Sequence, residues 1–370
     1  PKRAPRHVQE GPSVVTSAQA NSAQAASASV MGCVGSRRPH VNQQSDQAPA
    51  DGRKRRECTT ISQGFPLWAL PLKKVLRLTH LDMHHVYQRR GELLCDEAIR
   101  DKGFITIFVS HQWLPEAECT GEAHPDPCMT QFRELQGAFK YILAGGQITQ
   151  HWMHCFDPRA PVELRFNHTA STTIHLSQTV VWYDYWSVPQ LEDHQKERQA
   201  AIASIPAYVE AAAAVFILAP TVQNAKGKSI DWFSWQSRAW CRAEIVTNML
   251  GRRRTPTVVI RSSKNIYLTA LWFACLTSVG HGALTVATDR EALRHVMDQM
   301  LAGRINLLLD SGQLADYRLQ VATQYLTRRG LHEDGQAGGS SVAEFLHLFR
   351  FENATAACEG WSPLRYAAMS

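Results

Sequence analysis

The chain has 370 residues, 44% of them hydrophobic and 19% charged, enough apolar material for one large or two ordinary domains with a real core. Its net charge of +6 is uneven: residues 1–60 hold nine Lys/Arg against four Asp/Glu, net +5, leaving +1 for residues 61–370. A near-neutral body argues against a broad nucleic-acid surface, and no uncharged apolar run of about 18 residues supports a membrane-spanning helix. Nine Cys without a short repeating spacing, and without a secretory signal, read as reduced thiols of a cytoplasmic protein.

Residues 1–60 are rich in Ala, Ser, Gln, Pro and Arg, with almost no periodic apolar pattern. Such a tail cannot bury enough surface to offset its ordering entropy, so it is expected to be disordered. Within it, Met31-Gly32-Cys33-Val34-Gly35-Ser36 fits an N-myristoylation pattern at Gly32, with Cys33 placed for palmitoylation, provided Met31 is the initiator. One myristoyl chain holds a membrane only marginally. Cys33 adds a second signal, and Arg37, Arg38 and Arg53-Lys54-Arg55-Arg56 add about 1 kcal/mol per basic residue at an anionic inner leaflet. The motif reads either as a membrane anchor in this tail or as an internal Met-Gly of a low-complexity segment.

Residues 61–100 carry Val75, Leu78, Leu81, Val86, Leu93, Leu94 and Ile99 at helical spacing, predicting one or two lead-in helices broken near Gly91. Residues 101–335 alternate strand and helix patterns. The predicted strands are 104–109, 179–184, 214–218 and 257–260. The predicted helices are 131–143, 193–212 and 237–250, with more over 289–328 and an insertion at 144–178. His124-Pro125-Asp126-Pro127 reads as a rigid turn ahead of the first of these helices. This alternation predicts an α/β fold, a doubly wound, mainly parallel sheet flanked by helices. A Gly-rich linker, Glu333 to Ser340, precedes a last segment, 341–370.

Two of the strands end abruptly in polar and aromatic residues: Ser110, His111 and Trp113 after the first, Asp184 and Trp186 after the second. Open α/β sheets place their ligand crevice at these carboxyl ends. Ser237-Arg238-Ala239-Trp240-Cys241-Arg242-Ala243-Glu244 opens a helix that brings Arg238 and Trp240 to the same region. Asp184 is suited to a ribose hydroxyl or to capping its own turn, and Arg238 to a phosphate. Trp113, Trp186 and Trp240 are suited to stacking a base or to covering the core. Glu244 is expected in an internal salt bridge. Cys119, His124, Cys128, His151, His154 and Cys155 match no standard paired zinc spacing, so no metal is assigned.

These residues resemble the TIR-like superfamily and, within it, the HET branch. Phe108 to His111 match the first TIR strand. Ser237, Trp240, Cys241 and Glu244 match the Ser-x-x-Trp-Cys-x-x-Glu helix. Trp182, Asp184 and Gln190 match the HET block, and the resemblance covers roughly 104–260. It implies a self-associating signalling domain, or an enzyme that cleaves NAD at the nicotinamide–ribose bond. The resemblance puts the catalytic Glu on the helix after the second strand, which makes Glu197 the first candidate and Glu192 the second. No cofactor is assigned; NAD would be the substrate. Gly360-Trp361-Ser362-Pro363-Leu364-Arg365-Tyr366-Ala367-Ala368 resembles the opening of an ankyrin repeat, with Ser362 as helix cap and Pro363 at the first helical position. One repeat cannot bury its own face, so a longer array is expected beyond Ser370. The leading expectation is an intracellular scaffold that couples a TIR/HET-like domain to ankyrin repeats and so binds protein partners. The alternative is an NAD-cleaving effector with the array as sensor.

Overall fold

The structure, a computed structural model, describes residues 63–114, 124–150, 174–223, 227–253, 255–269, 278–332, 342–353, 355 and 362–368. Gly32, Cys33, the linker after His332 and most of the insertion lie outside the described residues. In chain order the strands are β1 Trp68–Pro71, β2 Leu94–Cys95, β3 Ile105–His111, β4 Thr149–Gln150, β5 Thr179–Tyr183, β6 Ala214–Leu218, β7 Val222–Gln223, β8 Ser229–Ile230, β9 Thr257–Ile260 and β10 Ile266–Thr269. The helices are α1 Leu72–Val75, α2 His84–Arg89, α3 Asp96–Asp101, α4 Thr130–Leu143, α5 Asp184–Ser187, α6 Gln195–Ala203, α7 Ile205–Ala211, α8 Trp232–Ser237, α9 Ala239–Leu250, α10 Asp289–Asp310, α11 Leu314–Arg328, α12 Val342–Leu348 and α13 Pro363–Ala367.

β-branched and aromatic runs build the central strands, whose residues are buried on both faces, as a helix-covered parallel sheet requires. β5, β3, β6 and β9 lie side by side and parallel. Antiparallel β1 and β10 flank them, with β4 beyond β10, completing a seven-stranded mixed sheet to which the two-residue β2 adds an edge. β7 and β8 form a separate hairpin. Alternation along the strands divides the core. Phe108, Trp182, Val215, Ile217 and Val259 face one side with residues of α7, α9 and α10. Ile107, Val109, Val181, Tyr183, Phe216 and Val258 face the other with residues of α1, α2 and α4. No described helix is long and apolar enough to cross a membrane.

The four predicted strands are the four central ones; several predicted helices differ. Within 61–100, Trp68–Pro71 is a strand, because Leu70 and Pro71 pair with Val181 and Val180 of β5. A four-residue apolar run carries no period of its own, so tertiary pairing decides its state. The helix predicted over 193–212 starts as a single 3-10 turn and breaks at Ser204. Pro206 lacks the N–H needed to continue it, and the Ser204 hydroxyl instead accepts from the Gly64 and Phe65 amides at 2.9 and 3.1 Å. The helix predicted at 237–250 is α9, starting two residues later, with the short α8 ahead of it. Asp231 caps α8 with a capping box, the chain is extended at Arg238, and α9 begins at Ala239. Ser362 holds the cap position of α13 with extended backbone, but its hydroxyl makes no capping bond.

Asp126, from the rigid turn, is fully buried and accepts from the Thr130 and Phe132 amides at the start of α4, at 2.9 and 2.7 Å. Asp126→Ala is expected to destabilise the domain by about 1–2 kcal/mol, through the lost cap and orphaned amides. A lower urea midpoint at unchanged slope is the measurement that checks it.

Candidate active site at the carboxyl end of the parallel strands

The last two residues of β3 point to opposite faces and recruit one carboxylate each. On the α9 side, the buried Ser110 hydroxyl donates to Glu244 Oε2 and accepts from Trp235 Nε1 at 3.1 Å. On the other side, His111 Nε2 lies 2.7 Å from Asp184 Oδ1, and its ring stacks on Tyr183 at 4.0 Å between centroids. Trp113 Nε1 donates to the second oxygen of Asp184 at 2.6 Å. An ionised carboxylate only accepts, so the His111 nitrogen facing Asp184 carries its hydrogen. Gln112, between them, donates to Ser234 Oγ at 2.8 Å and so ties the strand end to α8.

Local sequence explains these placements. Asp184 begins the one-turn α5 directly after β5, and Gln190 closes the following turn by donating to the Asp184 and Val188 carbonyls at 3.2 and 2.9 Å. Of Trp182, Asp184 and Gln190, the first is core, the second belongs to the site and the third holds its turn. In α9, Cys241 and Glu244 sit three residues apart and share a face. The Cys241 thiol reaches the His111 carbonyl at 3.7 Å, while Glu244 reaches Ser110. Cys241 is 3% exposed and burial pushes its thiol well above the ordinary value, so it is a packing residue and not a nucleophile.

The two carboxylates are driven in opposite directions. Burial pushes Glu244 up to about 8; the Ser110 hydrogen bond opposes this and the Asp184 charge adds to it. Burial alone would also raise Asp184, but the His111 charge and hydrogen bond, with the Trp113 bond, outweigh it and hold Asp184 below the ordinary carboxylate range. Both groups are set among protein atoms, yet the Asp184 side chain keeps 30% of its surface exposed and Glu244 is only partly covered. Both are desolvated but reachable carboxylates at the strand ends where open α/β sheets place their ligands.

Of the residues singled out in the sequence, Ser110, His111, Trp113 and Asp184 come together here. Trp186 does not: it is fully buried beneath the sheet edge and its indole donates to the Val181 carbonyl. Trp240 turns toward α10, bonding Asp289 at 2.9 Å, and Arg238 donates to Thr285 at 2.8 Å. The salt bridge expected for Glu244 is a hydroxyl bond to Ser110 instead. Glu197 is exposed at 54% and bonds His194, and Glu192 is exposed in the turn before it. Trp235 and Gln112 are the members that sequence reasoning passed over, and Glu244 was read there as structural; its three-residue spacing from Cys241 was the available signal that the two share a face. Among the described residues no group of three His, Cys, Asp or Glu is placed to hold a metal ion; Cys119, His151, His154 and Cys155 lie outside them. No family model, curated protein or solved structure matches this chain.

Proposed function

We propose that the protein is a nucleotide-cleaving enzyme that hydrolyses the nicotinamide–ribose bond of NAD, with Glu244 and Asp184 as its working carboxylates. The supporting observation is the pair itself, two carboxylates bonded to consecutive residues at the end of β3, with ionisation pushed apart. Cleavage of this bond passes through an oxocarbenium-like state, which a fixed negative charge stabilises. Asp184, ionised and held by His111 and Trp113, supplies that charge. Nicotinamide leaves as a neutral base with the bonding electrons and needs no proton. The oxygen of water bonds to the ribose carbon, and its proton passes to ionised Glu244. The cationic substrate favours that ionised form, so binding prepares the base.

The experiment is nicotinamide release by the full chain beside Glu197→Ala, dilute and clustered on anionic vesicles. Turnover equal to the parent is expected for Glu197→Ala, because its carboxylate is engaged with His194 at the surface. Loss of turnover in that variant would return catalysis to α6. No turnover by the parent in either state, with the fold intact by circular dichroism, would overturn the enzyme reading. The alternative is an intracellular scaffold that self-associates through this domain and recruits partners through an ankyrin-like region. Exposed apolar side chains favour it: Phe233 at 72%, Val342 at 70% and Leu364 at 78%.

A further inference from the structure

Glu244 reaches Ser110 only if the first turns of α9 are held in register against β3. What holds them comes from far along the chain. Residues 278–283, which include a single 3-10 turn at Val279–His281, lie along the start of α9. The Ala239 amide donates to the Ala283 carbonyl at 3.1 Å, and the Ala283 amide donates to the Ser237 carbonyl at 2.7 Å. Val279 is fully buried in the same core cluster as Ala239, Cys241 and Ile245. Gly282 lies so close to Ala239 that a methyl group there would collide with its backbone.

The opposite side of this segment rests on the α10–α11 hairpin. Gly280 packs backbone to backbone on Gly330 and Leu331, again with no room for a methyl group. The Ser278 hydroxyl donates to the Arg329 carbonyl. Two guanidinium groups span the junction. Arg242 of α9 donates to the Gln236 and Ser278 carbonyls, both at 2.6 Å. Arg290 of α10 donates to the Gly280 carbonyl at 3.1 Å and to the Gly330 carbonyl. Carbonyl oxygens hold a guanidinium's position through its fixed fork of donors.

We propose that residues 278–283 form a wedge through which the α10–α11 hairpin sets the register of α9, with Arg290 and Arg242 as positioning residues for Glu244. The hairpin in turn carries the C-terminal helices. Arg318 of α11 is 4% exposed, donates to the Phe349 and Arg350 carbonyls at 2.8 and 2.7 Å, and lies 3.9 Å from the Phe351 ring centre. Tyr366 of α13 joins Tyr317, Val321, Phe349 and Phe351 in one cluster. A load on those helices therefore reaches the helix of Glu244 through packed backbone. This inference rests on the catalytic reading of Glu244 only for its effect on rate.

The test uses the full chain and a readout apart from activity. The Trp235 indole donates to Ser110, whose hydroxyl bonds Glu244, so its N–H resonance reports that contact and titrates with Glu244, at a midpoint near 8. The resonance is assigned by its loss in Trp235→Phe. Arg290→Gln is expected to move this resonance and its midpoint, leaving the Trp186 indole, bonded to Val181 in the other core, in place. Nicotinamide release should fall by up to about 10²-fold in kcat with KM little changed, as for a misplaced catalytic group. Arg294→Gln, on the same helix and paired with Glu291, should change neither. Ser278→Ala, which removes one hydroxyl, is the milder second variant should Arg290→Gln not fold. An unmoved Trp235 resonance in the folded variants would overturn the wedge. A moved resonance without nicotinamide release in any protein would overturn the NAD reading and leave the wedge standing.

Discussion

Glu244→Gln is expected to lower nicotinamide release about 10²–10⁴-fold, the range for removing a positioned general base. Glutamine keeps the size of the side chain and can still accept from the Ser110 hydroxyl, so the fold should survive. The proposed mechanism adds a pH signature for the parent protein. The kcat/KM should rise with pH through a midpoint near 8, where Glu244 ionises in the free protein, and level off above it. The limb in kcat should lie lower, because the cationic substrate favours the carboxylate. A profile flat from pH 6 to about 9, or a Gln variant that retains turnover, would remove Glu244 from the mechanism.

The same substitution makes a prediction of opposite sign for stability. The Glu244 carboxyl is raised from 4.5 to about 8 on folding. Between these values the folded state holds a proton that the unfolded state has released, so parent stability falls as pH rises through that window. Glutamine does not titrate. The melting temperature of Glu244→Gln should therefore gain on the parent from pH 5 to about 8 and hold its advantage above. A residue that weakens the fold while serving the crevice is what a functional carboxylate looks like.

Trp186→Ala should be the most damaging single change to the fold. Trp186 is fully buried, stacks on Tyr183 at 4.7 Å between centroids, and meets Phe132 edge-on at 5.8 Å. Its indole satisfies the Val181 carbonyl, and its own carbonyl bonds His84 Nδ1 at 2.9 Å. Truncation leaves a large cavity and an orphaned acceptor, costing about 3–5 kcal/mol. That is a large share of the roughly 5–15 kcal/mol holding a domain together. The melting temperature should drop by about 10 °C, while affinity for NAD per folded molecule stays unchanged. Weaker binding at unchanged melting temperature would instead place Trp186 in the crevice.

The central fold was legible because its strands are apolar runs rich in β-branched and aromatic residues that alternate with helical segments. Ile105 to Val109, Thr179 to Tyr183, Ala214 to Leu218 and Thr257 to Ile260 can be satisfied only by a covered sheet. Their polar ends then fall at the carboxyl edge, which is why Ser110, His111, Trp113 and Asp184 could be read in advance. Elements fixed by distant partners were not legible. Trp68–Pro71 and Ser204 acquire their state from partners that are distant in sequence, Val181 in one case and Gly64 and Phe65 in the other.

Sequence by itself determined the basic tail, the alternating elements and the sheet edge where polar side chains gather, because periodicity and composition are local properties. Only the tertiary structure decided which of those side chains meet. Trp186 and Trp240 follow strand and helix patterns as good as that of Trp113, yet one is buried under the sheet edge and the other turned to α10. Glu197 and Glu244 are both helical acids. The first stands in solvent beside His194; the second is pressed against Ser110 near Asp184, and burial together with that neighbouring charge raises its affinity for a proton. Burial and the field of a neighbouring charge depend on residues far apart in sequence, Ser110 and Asp184 for Glu244, and no local pattern carries them.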